Sequence, residues 1–173
     1  MHSNEEGMST KLQRIAERAS RDKHCQFSSL FHLMNKELLL ECFMQLRKNA
    51  ASGIDNINKE GYAANLEENL DNLVRRLHQM AYRPQPVLRV YIPKPGSHKQ
   101  RPLGIPALED KLVQAGLVKI LEKIYEQDFI SDSYGFRPNR GCHDALRALS
   151  HTVEGQPIHY IVEADIREME KNN

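Results

Sequence analysis

The sequence contains few of the residues that would hold a small chain together through disulfides or a zinc ion. Its three cysteines, Cys25, Cys42 and Cys142, are far apart and have none of the paired spacings of a zinc site or a disulfide framework. Glycine and proline are sparse, at 9 and 8 of 173 residues, which excludes a collagen-like chain. With 40% hydrophobic and 27% charged residues, the chain is expected to fold as one globular domain with buried thiols.

Long apolar runs are also missing. A membrane-spanning helix needs about 18 consecutive apolar residues, and no run in the sequence approaches that length. The first residues, among them His2, Asn4 and Glu5, do not form the basic region followed by an apolar one that marks a secretory signal. We therefore expect a cytoplasmic protein with no membrane partner.

Acidic residues are absent from one long segment, residues 72–108, which carries seven Lys and Arg side chains and a charge of +7. Residues 1–71 have nine basic and eleven acidic side chains, and residues 109–173 have eight and twelve, so these segments carry −2 and −4. The net charge of +1 is the sum of the three. A local block of cations is typical of a surface that binds a polyanion, and a solvated basic face is the alternative that charge alone leaves open.

The first third of the chain has a helical pattern. A weak amphipathic segment covers residues 11–18, and apolar residues recur at three-to-four spacing over residues 30–46, which predicts one core-facing helix. Asn58 is suited to cap the next helix, whose apolar face continues to Met80. We expect Pro84 to lie beyond the end of that helix.

The period then changes from helical to alternating. Residues 87–92 and 101–105 read as two strands, and Pro95-Gly96 suits the central positions of a type II turn between them. Lys94 and Arg101 are equidistant from the bond between residues 97 and 98, so a symmetric hairpin would place them opposite each other. A phosphate held between two such cations would offset their repulsion. The sequence therefore predicts a basic-tipped hairpin.

Two more helices and one more strand follow. The helical period returns over residues 108–125 and 142–153, and residues 158–166 alternate cleanly. The polar face of this last strand ends in Glu163 and Asp165. The predicted fold class is α+β, mostly helical, with a small antiparallel sheet.

Five segments of the sequence resemble, in order, the conserved blocks of the reverse transcriptases encoded by group II introns, which are also called maturases. SGID at 52–55 is similar to the block that precedes the first reverse-transcriptase block. VYIPKP at 90–95 and KQRPLGIP at 99–106 resemble that first block, YGFRPNRG at 134–141 resembles the second, and YIVEADI at 160–166 resembles the start of the third. Several blocks in the same order are far more specific than any one of them.

The resemblance implies the fingers subdomain of a right-hand polymerase followed by the first palm strand. Residues 1–51 would form an N-terminal helical extension, residues 52–157 the fingers, and residues 158–173 the first palm strand and a divergent tail. The family acts on RNA templates and RNA/DNA duplexes and associates with group II intron RNA. These are the partners that the resemblance implies for this chain.

The resemblance also implies roles for three residues. Lys94 and Arg101 match positions that contact the triphosphate of the incoming deoxynucleotide, and Asp165 matches a metal-binding aspartate. Phosphoryl transfer of this kind uses two Mg²⁺ ions about 4 Å apart, bridged by carboxylates. Asp165 alone does not provide such a site. Glu163 is two residues away on the same strand face, and a surface acid is its more ordinary role.

A second surface for RNA is predicted in the block at 134–141. Tyr134 and Phe136 offer stacking faces, and Arg137 and Arg140 offer cations, an arrangement by which single-stranded RNA is commonly held. The same aromatic side chains could instead pack the loop onto the core. The main electrostatic contributors to RNA binding are expected to be Arg89, Lys94, Lys99, Arg101 and Arg137.

Residues 167–173 depart from the family pattern, which has a basic residue followed by small and aromatic ones. Arg167 fits that pattern and the rest of the segment does not, and no Tyr-Ala-Asp-Asp block occurs in the 173 residues. We therefore expect a truncated fragment of a group II intron reverse transcriptase. The alternative is a stand-alone, non-catalytic RNA-binding or self-assembly module, and a homodimer formed through the strand at 158–166 is a further expectation.

The 173-residue chain by itself is expected not to extend a primer, because the carboxylates that would complete a two-metal site with Asp165 are not in its sequence. The measurement is primer extension on an RNA template with Mg²⁺ and deoxynucleotides, beside an Asp165→Ala control. Template-dependent product that disappears in the control would contradict this expectation and would point to Glu163 as a second metal ligand.

Overall fold

The computed structural model describes residues 7–96 and 98–164. The chain divides into two compact units, one running through Asp128 and the other beginning at Phe129. The elements of the first unit are α1 (Met8–Arg21), a 3₁₀ turn (Phe31–Leu33), α2 (Lys36–Gln45), α3 (Lys59–Ala63), α4 (Leu66–His78), β1 (Leu88–Pro93), β2 (Gln100–Ile105) and α5 (Leu108–Tyr125). The second unit contains α6 (Cys142–Gly155).

Helices make up about half of the described residues, and β1 and β2 form a two-stranded antiparallel sheet. This confirms the α+β class and the small antiparallel sheet. Of the helices in residues 7–96 and 98–164, none has the length and apolar character needed to cross a membrane.

The core of the first unit lies between α1, α2, α4 and α5. Its side chains come from the apolar stripes that the sequence pattern indicates. Seven of them are almost completely inaccessible to solvent: Met34, Leu38, Leu39, Cys42, Leu70, Leu73 and Leu112. The buried thiol of Cys42 agrees with the expectation from the cysteine spacing, whereas the Cys142 side chain is exposed.

Two predicted helices are each interrupted, so the prediction of one helix over residues 30–46 and one from Asn58 to Met80 is wrong. In the first case the Asn35 side chain caps α2 by accepting a hydrogen bond from the Leu38 backbone N–H at 3.0 Å. In the second, the chain leaves the helical conformation at Asn65, between α3 and α4. Apolar spacing does not register such breaks, because the side chains on either side of them reach the same core. The predicted cap at Asn58 is confirmed: its Oδ1 accepts from the Gly61 N–H at 2.7 Å.

The hairpin forms as predicted but in a different register. Leu88 pairs with Ile105 and Ile92 with Arg101, and the Lys94 N–H donates to the Lys99 carbonyl at 3.0 Å. The prediction that Lys94 and Arg101 are directly opposite is therefore wrong. The turn is centred one position earlier than the symmetric arrangement requires. Gly96 takes the left-handed conformation, with φ of +73°, that its place in the predicted turn requires.

Residues 158–164 are not a strand, which corrects that part of the predicted strand at 158–166; residues 165 and 166 lie outside the described residues. A strand exists only where a neighbouring chain accepts its hydrogen bonds, and no described segment pairs with this one. Tyr160 and Val162 are both 89% exposed. Alternation in the sequence was therefore not sufficient to predict a strand here.

Gly53 allows two backbone segments to approach each other closely next to the hairpin. A Cβ at this position would lie 2.5 Å from Ala107 Cα and 2.6 Å from Ala107 N. Ala107 is completely buried and is the residue before α5. The absence of a side chain at Gly53 thus allows the loop after α2 to pass directly against the backbone that joins β2 to α5.

Gly53→Ala is expected to lower the free energy of unfolding by about 2 kcal/mol or more, because the new methyl group would overlap main-chain atoms that cannot rotate away. Urea unfolding followed by circular dichroism measures this. Gly135→Ala is the matched control, since a Cβ at Gly135 meets no atom within 4 Å. Equal stability of the two variants would show that the close approach of Gly53 to Ala107 is not a constraint.

Candidate nucleic-acid interface

The hairpin is exposed on both faces. The face that includes Lys94 is cationic at the turn end and apolar along the rest of its length. The side chains of cross-strand partners lie on the same face of a sheet, and alternate side chains along one strand share a face. Lys94, Lys99 and Arg101 therefore share one face at the turn end of the hairpin. The rest of that face is apolar and consists of Leu88, Val90, Ile92, Leu103 and Ile105.

The three cations form a compact group. Lys99 is directly opposite Lys94, and Arg101 is the diagonal neighbour of Lys94, a distance of about 7–8 Å between the backbones in an antiparallel pair. The observed register moves the cross-strand partner of Lys94 from Arg101 to Lys99. This is a shift of two residues, so Arg101 stays on the same face. The structure thus brings Lys94, Lys99 and Arg101 together.

Arg89 lies on the other face of the hairpin. It is paired with Gly104, and its neighbours on this face are Tyr91 and Pro102. Because Gly104 has no side chain, Val87 packs close to its backbone. The Val87 Cγ2 atom lies 3.3 Å from the position that a Cβ of residue 104 would occupy. The structure therefore does not bring Arg89 to the cations at the turn.

The base of the hairpin is held by a carboxylate that the sequence analysis missed. Asp110, in the first turn of α5, is 5% exposed. It accepts a hydrogen bond from the Tyr82 hydroxyl on one oxygen and from the Gln85 backbone N–H, at 3.1 Å, on the other. Burial raises the pKa of the Tyr82 hydroxyl, and its hydrogen bond to Asp110 raises it further. Asp110 therefore ties the segment that leads into β1 to the helix that follows β2.

A second carboxylate strengthens the same region. Glu109 accepts from the Arg76 guanidinium at 2.6 Å and from the Tyr62 hydroxyl at 3.3 Å. Burial raises the pKa of Tyr62, and the charge of Glu109 acts in the same direction. Glu109 and Asp110 are at the amino-terminal end of α5, where negative charge also interacts favourably with the helix dipole. No local sequence pattern indicates these pairs, because their partners are 25 to 47 residues away.

In the second unit, the four residues of the block at 134–141 that are predicted to bind RNA have different environments. Arg137 is buried, its Nη1 donates to the carbonyls of Ile130 and Ser133 at 2.8 Å, and its guanidinium lies over the Phe129 ring at 4.9 Å. Phe136, in contrast, is fully exposed. Arg137 thus contributes to holding the loop in shape, and Phe136 presents its ring to solvent.

Arg140 and Tyr134 are stacked on each other. The Arg140 guanidinium lies 5.3 Å from the centroid of the Tyr134 ring and donates to the Ser131 carbonyl. Both side chains are partly exposed. This is a partly open cation–aromatic pair of the type that nucleotide bases stack against.

The predicted metal ligand, Asp165, lies outside the described residues. Among residues 7–96 and 98–164, no three His, Cys, Asp or Glu side chains are close enough together to hold a metal ion. The described residues therefore do not by themselves fit the Mg²⁺ that the family resemblance implies. Binding of that ion stays a prediction.

Comparison with known proteins shows which class of protein the chain resembles. No protein-family profile matches the sequence. The group II intron-encoded protein LtrA of Lactococcus lactis subsp. cremoris is 36% identical over 160 residues, or 90% of this chain and 26% of LtrA. Protein YkfC of Escherichia coli strain K12 is 46% identical over 97 residues, or 56% of this chain and 25% of YkfC.

A plant relative extends the similarity to maturases: the mitochondrial nuclear intron maturase 2 of Arabidopsis thaliana is 43% identical over 47 residues, or 27% of this chain and 6% of that protein. The chain belongs to the family of group II intron-encoded reverse transcriptases and maturases, as the sequence blocks indicate. It spans about a quarter of the length of LtrA and of YkfC.

Asp110→Ala is expected to destabilise the first unit by about 2 kcal/mol, because it leaves the Tyr82 hydroxyl and the Gln85 N–H without their buried acceptor. Amide hydrogen exchange measured by mass spectrometry is expected to become faster over residues 88–105, which this carboxylate anchors. The exposed Asp128 provides the control variant, Asp128→Ala. Unchanged exchange of the hairpin in Asp110→Ala would contradict the anchoring role.

Proposed function

We propose that this chain binds RNA and nucleotide phosphates through the cationic end of its hairpin, as the fingers part of a group II intron reverse transcriptase. The observation that carries the proposal is the grouping of Lys94, Lys99 and Arg101 on one exposed face. No acidic residue occurs between residues 72 and 108. The charge of this face is therefore not neutralised by carboxylates of its own segment.

The arrangement favours a phosphate for an electrostatic reason. Like charges directly across a strand pair repel, so Lys94 and Lys99 are less favourable together in the absence of an anion. A phosphate between them replaces that repulsion with two attractions, and the Arg101 guanidinium can add two parallel hydrogen bonds. Within the described residues, Lys94 and Arg101 take part in no ion pair. Their charges are available to a ligand.

The loop of the second unit supports binding of a single strand. The exposed ring of Phe136 and the stacked pair of Arg140 and Tyr134 supply flat surfaces of the kind on which unpaired bases stack. Arg137 and Arg89 remain predicted contacts with RNA. The weight of the proposal lies on the three cations at the hairpin turn.

The finer assignments follow from family membership and are part of the same proposal. They are an incoming deoxynucleotide at Lys94 and Arg101, an RNA template or RNA/DNA duplex along the fingers, group II intron RNA as a partner, and Mg²⁺ at Asp165. LtrA is described as a group II intron-encoded protein, and the plant relative as an intron maturase. Self-association of the chain and a cytoplasmic location remain predictions.

RNA affinity should depend strongly on salt. If about four phosphates of a single strand are neutralised, the logarithm of the affinity is expected to fall with the logarithm of the salt concentration at a slope of about −3. Fluorescence anisotropy with a labelled oligonucleotide measures this. A slope near zero would contradict binding through the cations.

Lys94→Ala combined with Arg101→Ala is expected to reduce the slope to about −1.5 and to weaken binding to many RNA sequences alike, because phosphate contacts carry no base information. Lys48→Ala with Lys123→Ala makes the same change in net charge away from the hairpin and is the control. Equal losses in the two double variants would assign binding to net charge rather than to the hairpin.

A further inference from the structure

A cavity of about 410 Å³ lies between α3 and the two segments that flank the hairpin. Its lining residues include Asn56, Asn58, Asn69, Gln85, Leu108 and Glu109. Gln85 precedes β1, and Leu108 and Glu109 begin α5. The cavity therefore opens at the base of the proposed RNA-binding hairpin.

The lining is rich in carboxamides and, within the described part of the chain, contains no cation. Four side chains carry an amide group, those of Asn56, Asn58, Asn69 and Gln85, and two carry a carboxylate, those of Asp55 and Glu109. Among residues 7–96 and 98–164, no Lys, Arg or His lines the cavity. Glu109 is already paired with Arg76 at 2.6 Å, and the lining offers no cation of its own to a phosphate. The chemistry instead suits a neutral ligand that offers both hydrogen-bond donors and acceptors.

Two of the carboxamides are held in fixed orientations by the protein itself. Asn58 uses its Oδ1 to accept from the Gly61 N–H at 2.7 Å, which leaves its amino group for a ligand. Asn69 uses its Nδ2 to donate to the Tyr62 carbonyl at 3.0 Å, which leaves its oxygen. The cavity thus presents at least one donor and one acceptor in a fixed arrangement, as a site that recognises one particular ligand requires.

We propose that this cavity holds an unpaired adenine base of the RNA bound at the hairpin, an inference that rests on the proposed function. Asn and Gln side chains match the donor and acceptor on the edge of adenine, and the carboxylate of Asp55 can accept from its amino group. Bases of single-stranded RNA are free to turn out of the strand into such a site. The hairpin cations would then supply affinity for the phosphates, and this cavity would supply preference for a base.

Two side chains can be removed from the cavity without disturbing the backbone around it. Asn56 has a φ of +55°, so Asn56→Gly deletes the carboxamide and keeps a residue that tolerates the conformation. Gln85→Ala deletes the other carboxamide and retains the backbone N–H that donates to Asp110. Gln79→Ala is the matched control, because Gln79 is exposed and is not among the lining residues.

The experiment uses labelled oligouridine and the same oligomer with one internal adenine, which have equal charge and length. The 173-residue chain is expected to bind the adenine-containing oligomer about tenfold more tightly. The double variant Asn56→Gly with Gln85→Ala is expected to lose this preference without changing the slope of affinity against salt, whereas Gln79→Ala retains it. Equal affinity of the chain for the two oligomers, or a preference that survives the double variant, would overturn the proposal. A stronger preference for an inserted guanine or cytosine would overturn the assignment to adenine.

A second measurement separates this proposal from the one on which it rests. Adenosine, titrated into the chain and followed by NMR, is expected to shift the side-chain amide signals of Asn56 and Gln85, whereas ribose 5-phosphate is not. These shifts do not require binding at the hairpin, so they would persist if the salt dependence of RNA binding proved flat. No shift with adenosine, or equal shifts with ribose 5-phosphate, would overturn the base site even if the salt dependence were steep.

Discussion

The buried Asp110 carboxylate is the contact on which the orientation of the hairpin depends. It joins the chain just before β1 to the first turn of the helix just after β2, through the Tyr82 hydroxyl and the Gln85 N–H. At the same junction, Gly53 lies against the backbone of Ala107. Both ends of the hairpin are therefore fixed to a helix that packs in the core.

This anchoring matters because the hairpin has little else to stabilise it. A two-stranded sheet alone in water is marginally stable at best, and β1 and β2 are exposed on both faces. Its form must then come from the pairing of the two strands and from the attachment at its base. The same exposure leaves the cationic turn accessible to solvent. Solvent exposure thus weakens the support of the hairpin and also suits it to bind a long polyanion such as RNA.

Local patterns predicted the parts of the fold that local chemistry determines. The change of period located the hairpin, and the helix α5 begins and ends where the spacing indicated. The predicted register was wrong because register is set by the length of the loop between the two strands, which alternation within the strands does not specify. The segment at 158–164 alternates like a strand, but a strand also requires a partner, which alternation does not reveal.

The site was predicted only in part for a similar reason. The cations of the hairpin are visible in the sequence as a segment without acids. Asp110 was missed because its two partners are 25 and 28 residues away. Arg137 was expected at an RNA surface, and the structure places its guanidinium among loop carbonyls, a contact that depends on how the loop folds back.

Hydrogen exchange of the chain with and without bound RNA tests the central claim most directly. Single-stranded RNA bound at the cationic turn is expected to slow exchange of the hairpin amides over residues 88–105, with the largest effect near the turn, and to leave the buried helices of the first unit unchanged. RNA binding that leaves residues 88–105 unprotected and slows exchange elsewhere would contradict the account.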